Sequence, residues 1–74
     1  MPADKIAYMA NQIATFMKTR PHDEAVEGCA SHINDFWEPR MRKELFLILD
    51  GGGTDLSPLI REAAPRIRRP TESG

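Results

Sequence analysis

The sequence predicts an all-α fold, a small bundle of three to four short helices with a flexible C-terminal tail. Apolar residues recur at helical spacing in successive segments, and prolines and glycines fall where such helices would begin and end. No segment alternates apolar and polar residues with the period of two that a half-buried strand requires. On this reading residues 1–67 make one small helical domain and 68–74 a polar, disordered tail. A chain of 74 residues has room for a core but not for a core and a deep pocket together. Chains of this size hide only about 60% of their unfolded surface, and their cores supply roughly 3–5 kcal/mol of net stability.

The first helix is marked by Ile6, Met9, Ala10, Ile13, Phe16 and Met17, with Asp4 as its candidate cap. The second repeats the spacing at Val26, Cys29, Ala30, Ile33, Phe36 and Trp37, and Asp23 and Glu24 place negative charge at its positive end. Lys18-Thr19-Arg20-Pro21-His22 separates the two, because the residue before a proline resists helical geometry. A short turn of this kind predicts antiparallel packing. A third helix starts at Pro39, where the missing N–H costs nothing, and ends near Asp50 at Gly51-Gly52-Gly53. Ser57-Pro58 signals another start, and Leu56, Leu59, Ile60, Ala63, Ala64 and Ile67 follow one helical face, with Pro65 kinking or ending it.

Between the second and third helices lies Asp35-Phe36-Trp37-Glu38-Pro39-Arg40-Met41, which holds the sole Trp and a forced change of direction. Such a segment either locks one helix against the next or anchors a partner. Both aromatics continue the inward stripe of the second helix, so the lock is expected, and a partner surface is expected to begin just after it. Leu45-Phe46-Leu47-Ile48-Leu49 supports that expectation. Five consecutive apolar residues point all round a helix, and a chain this small can scarcely surround one of its own members. The expected partner-binding residues are therefore Trp37, Pro39, Arg40, Met41, Arg42, Phe46 and Leu47. Trp flanked by Arg is the residue mix enriched at binding hot spots.

The same chain offers little for chemistry. Ten Lys and Arg stand against eleven Asp and Glu, a balance unlike the basic excess of a general nucleic-acid binder. Cys29 has no second cysteine to pair with, which fits a reducing, cytoplasmic compartment, and its place on the inward stripe makes it a core residue. No apolar run approaches a membrane span, and the start of the chain lacks the pattern of a secretory signal. His32 and Asp35 sit one turn apart but lack the further ligands zinc needs. Ser31 and His32 diverge by about 100° around their helix, so hydroxyl and imidazole do not meet. Gly51-Gly52-Gly53-Thr54 lacks the Lys and the preceding strand of a phosphate loop. No catalytic, cofactor-binding or metal-ligating residue is expected.

Met9-Ala10-Asn11-Gln12-Ile13-Ala14-Thr15-Phe16, the Asp23-Glu24-Ala25 start, and His32-Ile33 followed by Phe36-Trp37 and Pro39-Arg40-Met41-Arg42 carry a resemblance. With Leu56-Ser57-Pro58-Leu59 and Glu62-Ala63-Ala64, the chain resembles the delta subunit of the soluble NAD-dependent formate dehydrogenases from about Asp4 to Ala64. In that family the alpha subunit holds the molybdenum cofactor and iron–sulfur centres. The beta and gamma subunits carry FMN and further iron–sulfur clusters and reduce NAD. The resemblance implies an accessory, non-catalytic chain that binds the alpha subunit, within a complex that includes beta and gamma, and serves assembly or stability. The alternative from the residues is a helix–turn–helix DNA-binding protein built from the second and third helices. Its turn, Glu38-Pro39, is a poor match for the Gly-containing turn of that motif.

Overall fold

The computed structural model describes residues 3–70, and its helices fall where the punctuation places them. They are α1 (Ala3–Met17), α2 (His22–Phe36), α3 (Pro39–Asp50) and the short α4 (Pro58–Ala63), followed by a 3-10 turn over Ala64–Arg66. Asp4 lies inside the first turn of α1, where its charge complements the helix dipole, rather than before it as a cap. Pro21 is extended (φ −52°, ψ 149°) and sets the start of α2, with Asp23 and Glu24 in the first turn. Trp37 leaves α2 in extended geometry while its N–H still donates to the Ile33 carbonyl at 3.0 Å. Glu38 is also extended, as a residue before proline must be, and Pro39 opens α3. At the far end Gly52 (φ 117°) and Gly53 (φ 64°) turn the chain through backbone conformations that L side chains resist, and the Gly53 N–H donates to the Ile48 carbonyl at 3.0 Å. Ser57 caps α4, its hydroxyl accepting from the Leu59 N–H at 3.3 Å, and Pro65 converts the last turn to 3-10.

One core joins every helix. Ile6 of α1, Cys29 and Ile33 of α2, Leu45 of α3 and Ile60 of α4 are fully buried. Helix α1 is the hub: α2, α3 and α4 all pack on it, and α2 also packs on α4. The buried face of α1 is Ile6 with Ala7, Ala10 and Ala14, so three of its four residues are small. Helices α2 and α3 barely touch each other. The segment after α4 runs from Asn34 near the end of α2 to Asp50 at the end of α3 and so bridges the two.

Two aromatics depart from the sequence-based expectation. Phe16 is 67% exposed and Phe36 is 72% exposed, although both continue an apparent inward stripe. Phe16 sits about 120° around α1 from Ala10, at the margin of the buried sector. Spacing alone credits large residues and undervalues alanines, and here alanines make up most of the buried face. Phe36 is the last residue of α2, and Trp37 takes the inward place as the chain straightens. The Phe36 ring rests instead on His32, with ring centroids 4.9 Å apart.

Two asparagines fasten the parts of the chain that lack helical hydrogen bonds. The Asn11 amide donates to the Asp55 carbonyl (2.9 Å) while its oxygen accepts from the Ser57 N–H (2.7 Å). Asn34 does the same for the C-terminal segment, donating to the Arg66 carbonyl (3.0 Å) and accepting from the Arg68 N–H (2.8 Å). Arg68 and Arg69 are thus hydrogen-bonded to the domain, and residues 71–74 of the expected tail lie outside the described residues. The ion pairs His22–Glu62, Arg66–Glu27 and Arg69–Asp50 are all solvent-exposed and add little to stability.

Asn11→Ala removes both bonds and leaves the part-buried Ser57 N–H unpaired. It should cost about 1–3 kcal/mol and lower the melting temperature by roughly 5–15 °C in a thermal circular-dichroism scan. An unchanged melting temperature would mean that apolar burial alone holds α4.

Candidate partner-binding surface

The residues expected to meet a partner divide between core and surface. Trp37 is 7% exposed and Phe46 is 6% exposed, so both side chains are occupied within the domain and are not presented as anchors. Met41 is partly buried against the core. Arg42 is half-buried, and its Nε has no hydrogen-bond partner among the described residues. Pro39, Arg40 and Leu47 are exposed, Leu47 at 58%.

The all-round apolar run of α3 is likewise mostly accounted for. Leu45 and Phe46 are core, and Ile48 and Leu49 pack partly buried against it. Of the five residues in this run, Leu47 alone is exposed. Helix α1 covers one side of α3, and the C-terminal segment covers another. The Arg69 guanidinium lies 4.3 Å from the centre of the Phe46 ring and donates to the Asp50 carboxylate at 3.0 Å. Sequence reasoning missed this cover because the arginine is nineteen residues from its carboxylate and lies in a polar stretch. Lys43, Phe46, Leu47, Asp50, Arg69 and Pro70 together line a shallow cleft of about 240 Å³.

Arg40, Lys43 and Leu47 are spaced three and four residues apart, so they share one outward stripe of α3. Neither cation forms an ion pair among the described residues. Both lie near the start of α3, whose first turn holds no acidic residue and whose preceding Glu38 makes no capping hydrogen bond. Arg40, in that first turn, opposes the helix dipole by about 0.3–1 kcal/mol, and Lys43 lies just beyond it. Helix α2 is the opposite case, with Asp23, Glu24, Glu27 and Asp35 and no Lys or Arg. The near-zero net charge of the chain therefore conceals a strongly acidic α2, while in α3 the cations gather in the first half of the helix.

The groups considered for chemistry are engaged elsewhere. Cys29 is fully buried, and burial pushes its thiol pKa up, away from the reactive thiolate. His32 stacks on Phe36, and the Ser31 hydroxyl points to Glu27 at 3.4 Å rather than to His32. His22 pairs with Glu62 at 2.8 Å. No three His, Cys, Asp or Glu among the described residues are grouped so that they could hold a metal ion. A helix–turn–helix would need α2 and α3 packed on each other, whereas they barely touch.

The chain matches the family described as NADH-dependant formate dehydrogenase delta subunit FdsD over residues 5–64. No curated protein and no solved structure matches it. The matched span takes in α1 to α4, including Asn11 and its two bonds to the α3–α4 connection.

The division between core and surface predicts opposite responses from two large apolar residues. Trp37→Ala should cost about 3–5 kcal/mol, comparable with the whole stability of a domain this size, and should abolish most helical ellipticity at 25 °C. Leu47→Lys should change stability by no more than about 0.5 kcal/mol and keep the parent spectrum. Equal losses in both variants would show that Leu47 belongs to the core.

Proposed function

The chain belongs to the NADH-dependent formate dehydrogenase delta-subunit family, and from that premise we propose that it is a non-catalytic accessory subunit docking on the alpha subunit. The observation that carries the proposal is the family match, which runs through all four helices. The exposed stripe of α3 supplies the docking surface. Leu47 is its apolar contact, Pro39 and Arg40 flank it, and Met41 and Arg42 support it from the half-buried side. Trp37 and Phe46 act from within, by fixing the direction and rotation of α3 against α1.

The oxidation of formate belongs, on this reading, to other chains. Iron–sulfur ligation takes about four cysteines per cluster, and this chain has one, sealed in the core. The donor set does not fit such a cluster, and the molybdenum cofactor, iron–sulfur clusters, FMN and NAD are assigned to alpha, beta and gamma. A subunit that binds only the folded, loaded enzyme raises its apparent stability by mass action. That linkage is sufficient to make it an assembly or maintenance factor without any active site. The cytoplasm is the proposed compartment, and no helix among the described residues is long and apolar enough to cross a membrane.

Co-expression of the tagged chain with the alpha, beta and gamma subunits tests this directly. The chain should co-elute with the molybdenum-bearing subunit at fixed stoichiometry. Absence of co-elution at every salt concentration tried would end the proposal. Leu47→Lys should weaken association at least about tenfold, since burying a leucine contributes roughly 1.5–3 kcal/mol. A variant that binds as tightly as the parent would move the interface off α3.

A further inference from the structure

The arginines of the C-terminal segment and the cations of α3 are used differently. Arg66 pairs with Glu27, Arg69 pairs with Asp50, and Arg68 donates to the Asn34 carbonyl. Their charges are engaged by this chain's own acceptors. Arg40 and Lys43 are exposed and unpaired among the described residues, and Arg40 lies in the first turn of α3, where the dipole disfavours it. Asp50, which could neutralise this face, is taken by Arg69, so Glu44 is the remaining carboxylate of α3. Leu47 stands one and two helical turns beyond the two cations on the same stripe, beside the cleft bounded by Arg69 and Pro70.

Resting on the subunit reading above, we infer that this stripe recognises an acidic surface segment of the partner protein, with carboxylates opposite Arg40 and Lys43 and an apolar side chain against Leu47. Complementary charge of this kind sets orientation and encounter rate, while the leucine supplies the desolvated contact. The surplus of cations in the first half of α3 is then explained by the interface rather than by the domain. The acidic outer face of α2 offers the same chemistry on a second copy of this chain. Helix α2 has no exposed Lys or Arg to exclude such pairing, so self-association is the competing occupant.

The test is co-purification of the full chain with the co-expressed dehydrogenase subunits, followed by measurement of the dissociation constant at several salt concentrations. Arg40→Glu with Lys43→Glu reverses both charges at exposed positions, so the melting temperature should stay close to that of the parent, and a thermal scan of each variant separates lost binding from unfolding. Arg40→Gln with Lys43→Gln removes the charge without adding repulsion. Lys5→Glu with Lys18→Glu on α1 and its following turn changes the net charge as much, but away from the stripe. The expected result is at least about tenfold weaker binding for the Glu pair, a smaller loss for the Gln pair, and parent-like binding for the α1 control. Parent binding should also weaken as salt is raised, and the Gln pair should flatten that dependence. Equal effects from the stripe and control variants, or no effect from either, would overturn the inference while leaving the subunit reading intact. Concentration-dependent dimers abolished by the same Glu pair would overturn it in favour of a second copy. If the parent chain does not associate at all, the subunit reading fails first and this inference falls with it.

Discussion

Helix α4 spans six residues, too few to hold helical geometry without help, so its place depends on side chains elsewhere in the chain. The Asn11 amide provides that help by meeting both a carbonyl and an N–H of the connection from α3. Once the connection is fixed, Ser57 caps the helix and Ile60 enters the core between α1 and α2. The C-terminal segment continues from α4 and is fastened in turn by Asn34. Each closure sets the position of the next. The final one covers Phe46 with Arg69 and so determines which side of α3 stays open.

That sequence of closures decides what is core and what is surface. A helix apolar on every side can be satisfied within so small a domain because two different elements cover it. Helix α1 supplies an alanine face, and the C-terminal segment supplies the stem and charge of an arginine. What stays uncovered is a narrow stripe with one leucine and two unpaired cations. A surface of that composition is suited to a partner that brings its own acidic groups, and unsuited to chemistry, which would need converging polar groups in a closed site.

Helix boundaries were the most legible part of the sequence. Pro39, Gly51 to Gly53, Ser57-Pro58 and Pro65 act through the backbone of their own neighbourhood, so their effect can be read without knowing what lies across the fold. The inward placing of Cys29 and Trp37 was legible for the same local reason. Phe16 and Phe36 were misread because periodicity locates an apolar sector but not its centre, and a neighbouring helix preferred Ala10 and Ala14. Asn11 and Asn34 were invisible as fasteners, since their partners lie forty-four to forty-six and thirty-two to thirty-four residues away. Arg69 was placed in a tail because its role exists only after α3 and α4 have packed. Local chemistry was readable; contacts that close over long separations were not.

The central proposal is that the outward stripe of α3, rather than the buried Trp37 of the inter-helix junction, faces the partner. A photo-crosslinking amino acid placed at position 47 in the co-expressed complex, with matched placements at the exposed positions Tyr8 and Phe16 on α1, tests it most directly. The account predicts a crosslink from position 47 to the molybdenum-bearing subunit and little from positions 8 and 16. Crosslinking from position 8 or 16 with none from 47 would contradict it.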